Sequence, residues 1–189
     1  METATYILFV LGCLGATDIA TYHSFAHGIR SHPDSRNELI VHSLRGPTYG
    51  LLFLLIPNIV LHGMYFWGLM ALFAIDVVIS IVDFALERKS RHFFGGLPSG
   101  EYVLHIIIAM FFGALVTSVC YGAGEWRNLP TQIAYAPASV PGFLRLVMAV
   151  MAALVLYSGI QDAIAAWRLS GHPMRGNELL HSSRNEGSS

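Results

Sequence analysis

Long apolar runs alternate with short polar breaks along most of the chain. A helix that crosses a bilayer needs about 20 mostly apolar residues. Five stretches reach that length: 4–27, 38–62, 64–87, 101–122 and 142–167. The breaks carry helix-stopping residues. "SHPDSRN" (31–37) holds Pro, Asp and Asn, "RKSRHFFGGLPSG" (88–100) holds charge, a Gly pair and Pro, and "GAGEWRNLPTQIAYAPASVPG" (122–142) is the longest connection. Runs two and three meet at "LHGMYFWG", a reversal with only His62 and Gly63 for a turn. Pro47 and Pro57 fall inside the second run and predict a kinked or irregular helix there. The pattern thus predicts an all-α integral membrane protein, a bundle of about five transmembrane helices in one domain over 1–168. Residues 169–189 form a polar tail. The N-terminal run lacks a basic start and outlasts a signal peptide, so it is expected to stay as a helix.

Basic residues orient this bundle. With five spans, the loops after the first and third runs share one side with the tail. Those regions and their helix ends hold Arg30, Arg36, Arg45, Arg88, Lys89, Arg91, Arg168, Arg175 and Arg184, nine of the eleven Lys and Arg residues. Arg127 and Arg145 belong to the other side. Positive charge marks the cytoplasmic face, which places the N-terminus outside and the C-terminus in the cytoplasm. Tyr65, Trp67, Tyr121 and Trp126 then fall near outer helix ends and Trp167 near an inner one, as interfacial aromatics do.

Composition supports the same class. Of 189 residues, 54% are hydrophobic and 12% charged, and mean hydropathy is +0.54. Soluble domains carry about 25% charged residues. A net charge of −1 gives no basis for nucleic-acid binding. Cys13 and Cys120 both lie in apolar runs, without CxxC spacing or a disulfide framework. The expected partners are the lipid bilayer and, for a chain this small, subunits of a larger complex. The expected location is the bacterial inner (plasma) membrane.

Against this apolar background the ionisable residues are conspicuous. "ELIVH" (38–42) and "EYVLH" (101–105) each set a Glu four residues before a His. Positions i and i+4 share one helix face. Both pairs open a helix on the cytoplasmic side, at similar depth. Asp76, Asp83 and Glu87 lie on one stripe of the third run, and Asp18, His23 and His27 end the first. Eight of nine histidines fall in the inner half or on the inner face, all but His62. An ionisable residue inside a span is costly and marks a functional site by default.

Carboxylates and neutral imidazoles together ligate divalent metals. The candidate ligands are Glu38, His42, Asp76, Asp83, Glu101 and His105, with Asp18, His23 and Glu87 as possible additions. The pattern resembles the ferritin-like di-iron bundles in outline, with paired Glu and His on two helices and acids on a third. Here ExxxH stands in place of ExxH. It also resembles integral-membrane hydroxylases and desaturases in clustering histidines at one face, though "HSFAH" (23–27) is its one HxxxH and HxxHH does not occur. No residue role carries over from either group, and the catalytic residues stay unassigned.

Each feature also has a plain structural account. Glu38 and Glu101 suit the positive end of a helix dipole, His42 and His105 could bond neighbouring helices, and Arg45 could pair with Asp83. Asp162, beside Gln161, is expected to snorkel or pair near the inner surface. "HPDSRNELIVHSLR" (32–45) is echoed by "HPMRGNELLHSSR" (172–184), which chance explains. Three functions follow. The first is a di-iron or di-zinc oxidoreductase acting on a lipid or quinone. The second is a haem-binding or structural subunit of a respiratory or photosynthetic complex, ligated by His42 and His105. The third is a proton or ion carrier using the acids as relays.

Overall fold

The computed structural model describes residues 1–26, 29–31, 35–90 and 98–170, with side chains described outside 23–26, 29 and 87–90. The helices are α1 (Glu2–Asp18), α2 (Arg36–Leu55), α3 (Met64–Ser90), α4 (Ser99–Ala123) and α5 (Gly142–Leu169). A π-helix, Ile19–Ala26, prolongs α1 past Asp18. α1 packs on α4, while α2 packs on both α5 and α3. The core between them is aliphatic and aromatic, with Leu8, Leu52, Phe73, Leu115, Val119 and Met148 all buried.

Among the described residues, four helical segments are long and apolar enough to cross a membrane: Glu2–Tyr22, Met64–Leu86, Ser99–Asn128 and Gly142–Leu169. Only 17–28% of the residues in their most apolar windows are buried. Their surfaces carry Val78, Met110, Val150 and Ile160, all exposed. Large apolar surface of this kind is characteristic of faces that meet lipid or another protein. Of the five expected spans, four thus have the length and apolarity of a membrane-crossing helix, and α2 does not. At 20 residues, α2 would reach about 30 Å, but it is the least apolar of the five α-helices. Its polar residues are sheltered because it sits between α3 and α5. Glu38, His42 and Thr48 are all buried.

Pro47 does not break α2. A proline has no N–H for the carbonyl four residues earlier, here Ser43. That carbonyl faces Gly159 of α5, where an added Cβ would lie 3.0 Å away. A Cβ on Gly46 would in turn meet Val155 O at 3.1 Å and Gly159 Cα at 3.2 Å. Two glycines thus let the α2 and α5 backbones touch, the small-residue contact that brings helices together where no water drives them.

The second run is not helical to residue 62. α2 ends at Leu55, ahead of Pro57, and the β-branched "IV" of Ile59–Leu61 forms strand β1 instead. β1 pairs antiparallel with β2 (Ile133–Tyr135), in the register Ile59 to Tyr135, Val60 to Ala134 and Leu61 to Ile133. The two strands tie the long connection across the end of the bundle remote from His42 and His105. Gly63, at φ +56°, makes the reversal into α3, a conformation that a side chain would disfavour.

Gly159→Val should lower the thermal midpoint of the detergent-solubilised protein, because overpacking costs about 1–3 kcal/mol and the neighbour here is backbone. Gly15→Ala, where an added Cβ meets nothing within 4 Å, should leave the midpoint unchanged or raise it. Scanning fluorimetry of the two variants checks the contrast.

Candidate metal centre and polar cavity

Asp18 closes α1, and Glu101 and His105 lie one turn apart at the start of α4. All three are buried. One ligand atom from each lies within 4.8 Å of the other two, and His105 Nε2 stands 3.4 Å from Asp18 Oδ2. The His105 ring stacks on Phe84 of α3, with centroids 5.0 Å apart and 28° between planes. Gly100 helps to seat α4: an added Cβ would collide with the Tyr22 hydroxyl, so the absence of a side chain lets the extension of α1 close on the start of α4. The π-helix itself begins immediately after Asp18. Such wider turns recur at functional sites.

The second ExxxH pair finds a different partner. His42 Nδ1 lies 2.7 Å from Asp162 Oδ2 of α5, so that nitrogen carries the proton it donates to the carboxylate. Arg30 donates from Nε to Asp162 Oδ1 at 2.6 Å and from Nη2 to Ser158 Oγ at 3.2 Å. Glu38 is buried one turn before His42. Asp162 is 2% exposed. It pairs inside the bundle and does not snorkel.

The acids of α3 separate from both. Arg45 Nη1 pairs with Asp83 Oδ2 at 3.0 Å, and its Nη2 donates to Ser80 Oγ at 2.9 Å. The Tyr49 hydroxyl donates to Asp76 Oδ2 at 3.3 Å. Of the candidate ligands, then, Glu101 and His105 come together with Asp18. His42 meets Asp162, Glu38 is buried one turn before it, Asp83 has taken an arginine and Asp76 a tyrosine. The side chains of His23 and Glu87, with His27 and the segment around Glu178 and His181, lie outside the described residues.

Asp162 and Arg30 are the partners that composition alone does not single out. A signal for the aspartate exists: within the α-helices, a small residue three positions before an Asp occurs at Gly15–Asp18, Ser80–Asp83 and Gly159–Asp162. All three small residues line one cavity of about 810 Å³. Asp18, His42, Arg45, Tyr49, Asp76 and His105 line it as well, and Leu11, Phe53, Phe112 and Met151 extend its wall toward the opposite end of the helices. That volume falls within the range of ligand pockets, about 300–1,000 Å³. Set against protein-family profiles, curated proteins and solved structures, the chain matches none.

Removing one member of a buried ion pair costs about 3–5 kcal/mol, because the other charge stays buried without compensation. Arg45→Met should therefore destabilise the protein by that order, and adding Asp83→Leu should restore much of the loss. Thermal midpoints of the two single variants and the double variant measure the coupling.

Proposed function

We propose that this chain is an integral membrane metalloprotein. Asp18, Glu101 and His105 hold one divalent ion, iron or zinc, in the cytoplasmic half of the bundle. The N-terminus lies outside and the basic loops lie in the cytoplasm. The observation that carries this reading is the meeting of two carboxylates and one imidazole, from two helices and within 4.8 Å, at buried positions. Two carboxylates side by side in an apolar interior repel, and a dication between them turns that repulsion into binding. Three protein ligands are the number that leaves a coordination position for a reactant. Two of the three, Asp18 and His105, line the cavity, so a reactant there would have access to such a position. The reaction we assign is oxidoreductase chemistry on a lipophilic substrate. In it, Asp18, Glu101 and His105 hold the ion, Phe84 fixes the imidazole plane, and the His42–Asp162 pair offers a proton at the cavity wall.

Purified protein should contain about one equivalent of metal per chain. Glu101→Gln combined with His105→Ala should abolish it, and Asp162→Asn should retain it. Elemental analysis of the three proteins checks this, and metal-free wild-type protein would end the reading. A second reading, haem held between His42 and His105, is favoured by both imidazoles lining one cavity and by the carboxylate behind His42, which orients the ring as a ligand's is oriented. A Soret band that both His42→Ala and His105→Ala remove would replace the first reading with the second.

A further inference from the structure

The helices pack in two layers, α1 with α4 and α2 with α3 and α5. Among the described residues no comparable packing joins α3 to α4 or α1 to α5. The cavity lies between the layers and is lined from all five helices. Away from Asp18 and His105 it is closed. Three positions beyond its lining residues Leu11, Phe112 and Met151 stand Leu8, Leu115 and Met148, all buried in the core.

Sideways, the seam between α3 and α4 is framed by two ring contacts. Phe84 stacks on His105 with centroids 5.0 Å apart, and Phe73 meets Phe112 edge-on at 5.8 Å. His105 and Phe112 are seven positions apart on α4, roughly 10 Å along a helix. Between the two contacts, Val77 and Ile81 of α3 and Ala109 of α4 line the cavity and are also exposed. Residues that border a cavity and the surroundings together form its rim. Gly113, one turn after Ala109, lines the cavity as well, and an added Cβ there meets nothing within 4 Å. The seam therefore holds a window whose rim is aliphatic or bare.

The far wall, from α1 and α5, carries Leu11, Ala16, Met151, Leu154 and Val155. Such walls forfeit dispersion contacts when nothing lies against them. Apolar cavities exclude water and take apolar molecules. For helices that cross a bilayer, what stands outside the window is acyl chain. An aliphatic chain is thus both the species at hand and the one that the rim and far wall fit, whatever head it carries.

We infer that a long aliphatic chain from the membrane lodges in this cavity, entering sideways through the window between α3 and α4. The inference rests on the membrane reading above and gives its lipophilic substrate a place and a route, but it does not depend on the ion.

The test places the purified full-length protein in phosphatidylcholine vesicles with hexadecane that carries a mid-chain diazirine. After photolysis, mass spectrometry locates the label. Label on Ile108, Phe112 and Met151 should saturate and be lost to excess plain hexadecane. Label on Met110 and Val150, which are exposed and do not line the cavity, should instead rise in proportion to the probe. Ala109→Trp, which fills the window, and Gly113→Leu, which fills open space, should each lower the cavity label about tenfold. Thermal midpoint and metal content should stay at wild-type values. The inference is overturned if the cavity label fails to saturate or resists hexadecane. It is overturned equally if both variants keep the wild-type midpoint and label like wild type. Label removed by Gly15→Leu but by neither of these would move the opening to the α1–α5 seam and overturn the window. Protein that does not float with the vesicles after an alkaline wash ends the membrane reading and this inference with it; protein that floats without saturable label ends this inference alone. Saturable label on metal-free protein keeps the chain site and removes the ion.

Discussion

Six carboxylates, those of Asp18, Glu38, Asp76, Asp83, Glu101 and Asp162, lie buried in a bundle whose outer surface is largely aliphatic. At the centre of a membrane helix each would cost about 3 kcal/mol if it faced lipid. Six together would exceed the whole stability of most proteins, about 5–15 kcal/mol. The helices are therefore constrained in rotation: every acid-bearing face must turn inward and find a donor, a cation or an ion there. Asp83 finds Arg45, Asp162 finds Arg30 and His42, and Asp76 finds Tyr49. Asp18 finds His105, and Glu101 lies beside both.

That constraint explains why the most polar helix sits in the middle. α2 touches α3 and α5 together, so its acid, imidazole and guanidinium groups are met from two sides. Its contact with α5 is close because Gly46 and Gly159 present bare backbone at the crossing. The same contact brings His42 to Asp162, three residues beyond Gly159. Packing and electrostatics here are one arrangement: a side chain at either glycine would separate the backbones and the imidazole–carboxylate pair alike.

Two helix pairs repeat one scheme. In α1–α4 and in α2–α5, a helix with Gly-x-x-Asp in its C-terminal part meets a helix opening with Glu-x-x-x-His. The outcomes differ through third partners. Asp162 is engaged by an arginine as well as by His42, which neutralises it and leaves an oriented imidazole. At Asp18 the neighbours include a second carboxylate and an imidazole stacked on Phe84, the kinds of ligand that divalent metals take. One motif, used twice, yields a proton-holding pair and a candidate metal centre around a shared cavity.

Much of this was legible in the residues. Length and apolarity of the runs located all five α-helices, since burial of a continuous apolar stretch depends on local composition. Helical periodicity put Glu38 with His42 and Glu101 with His105 on common faces. The strand at Ile59–Leu61 was not legible, because its pairing partner lies more than seventy residues away and a short β-branched run continues a helix equally well by pattern. The second run was expected to be a span like the others, whereas α2 is the least apolar of the five helices and packs between α3 and α5. The Arg45–Asp83 pair was among the pairings the residues suggested, and the other partners were decided by tertiary structure. Helix phase says what shares a face, but the crossing at Gly46 and Gly159 and the packing of α1 on α4 determine what that face meets. Sequence therefore assembled the ligands as one pool of candidates, and the fold divided them, giving Arg45 to Asp83, Asp162 to His42, and Asp18 to the pair on α4.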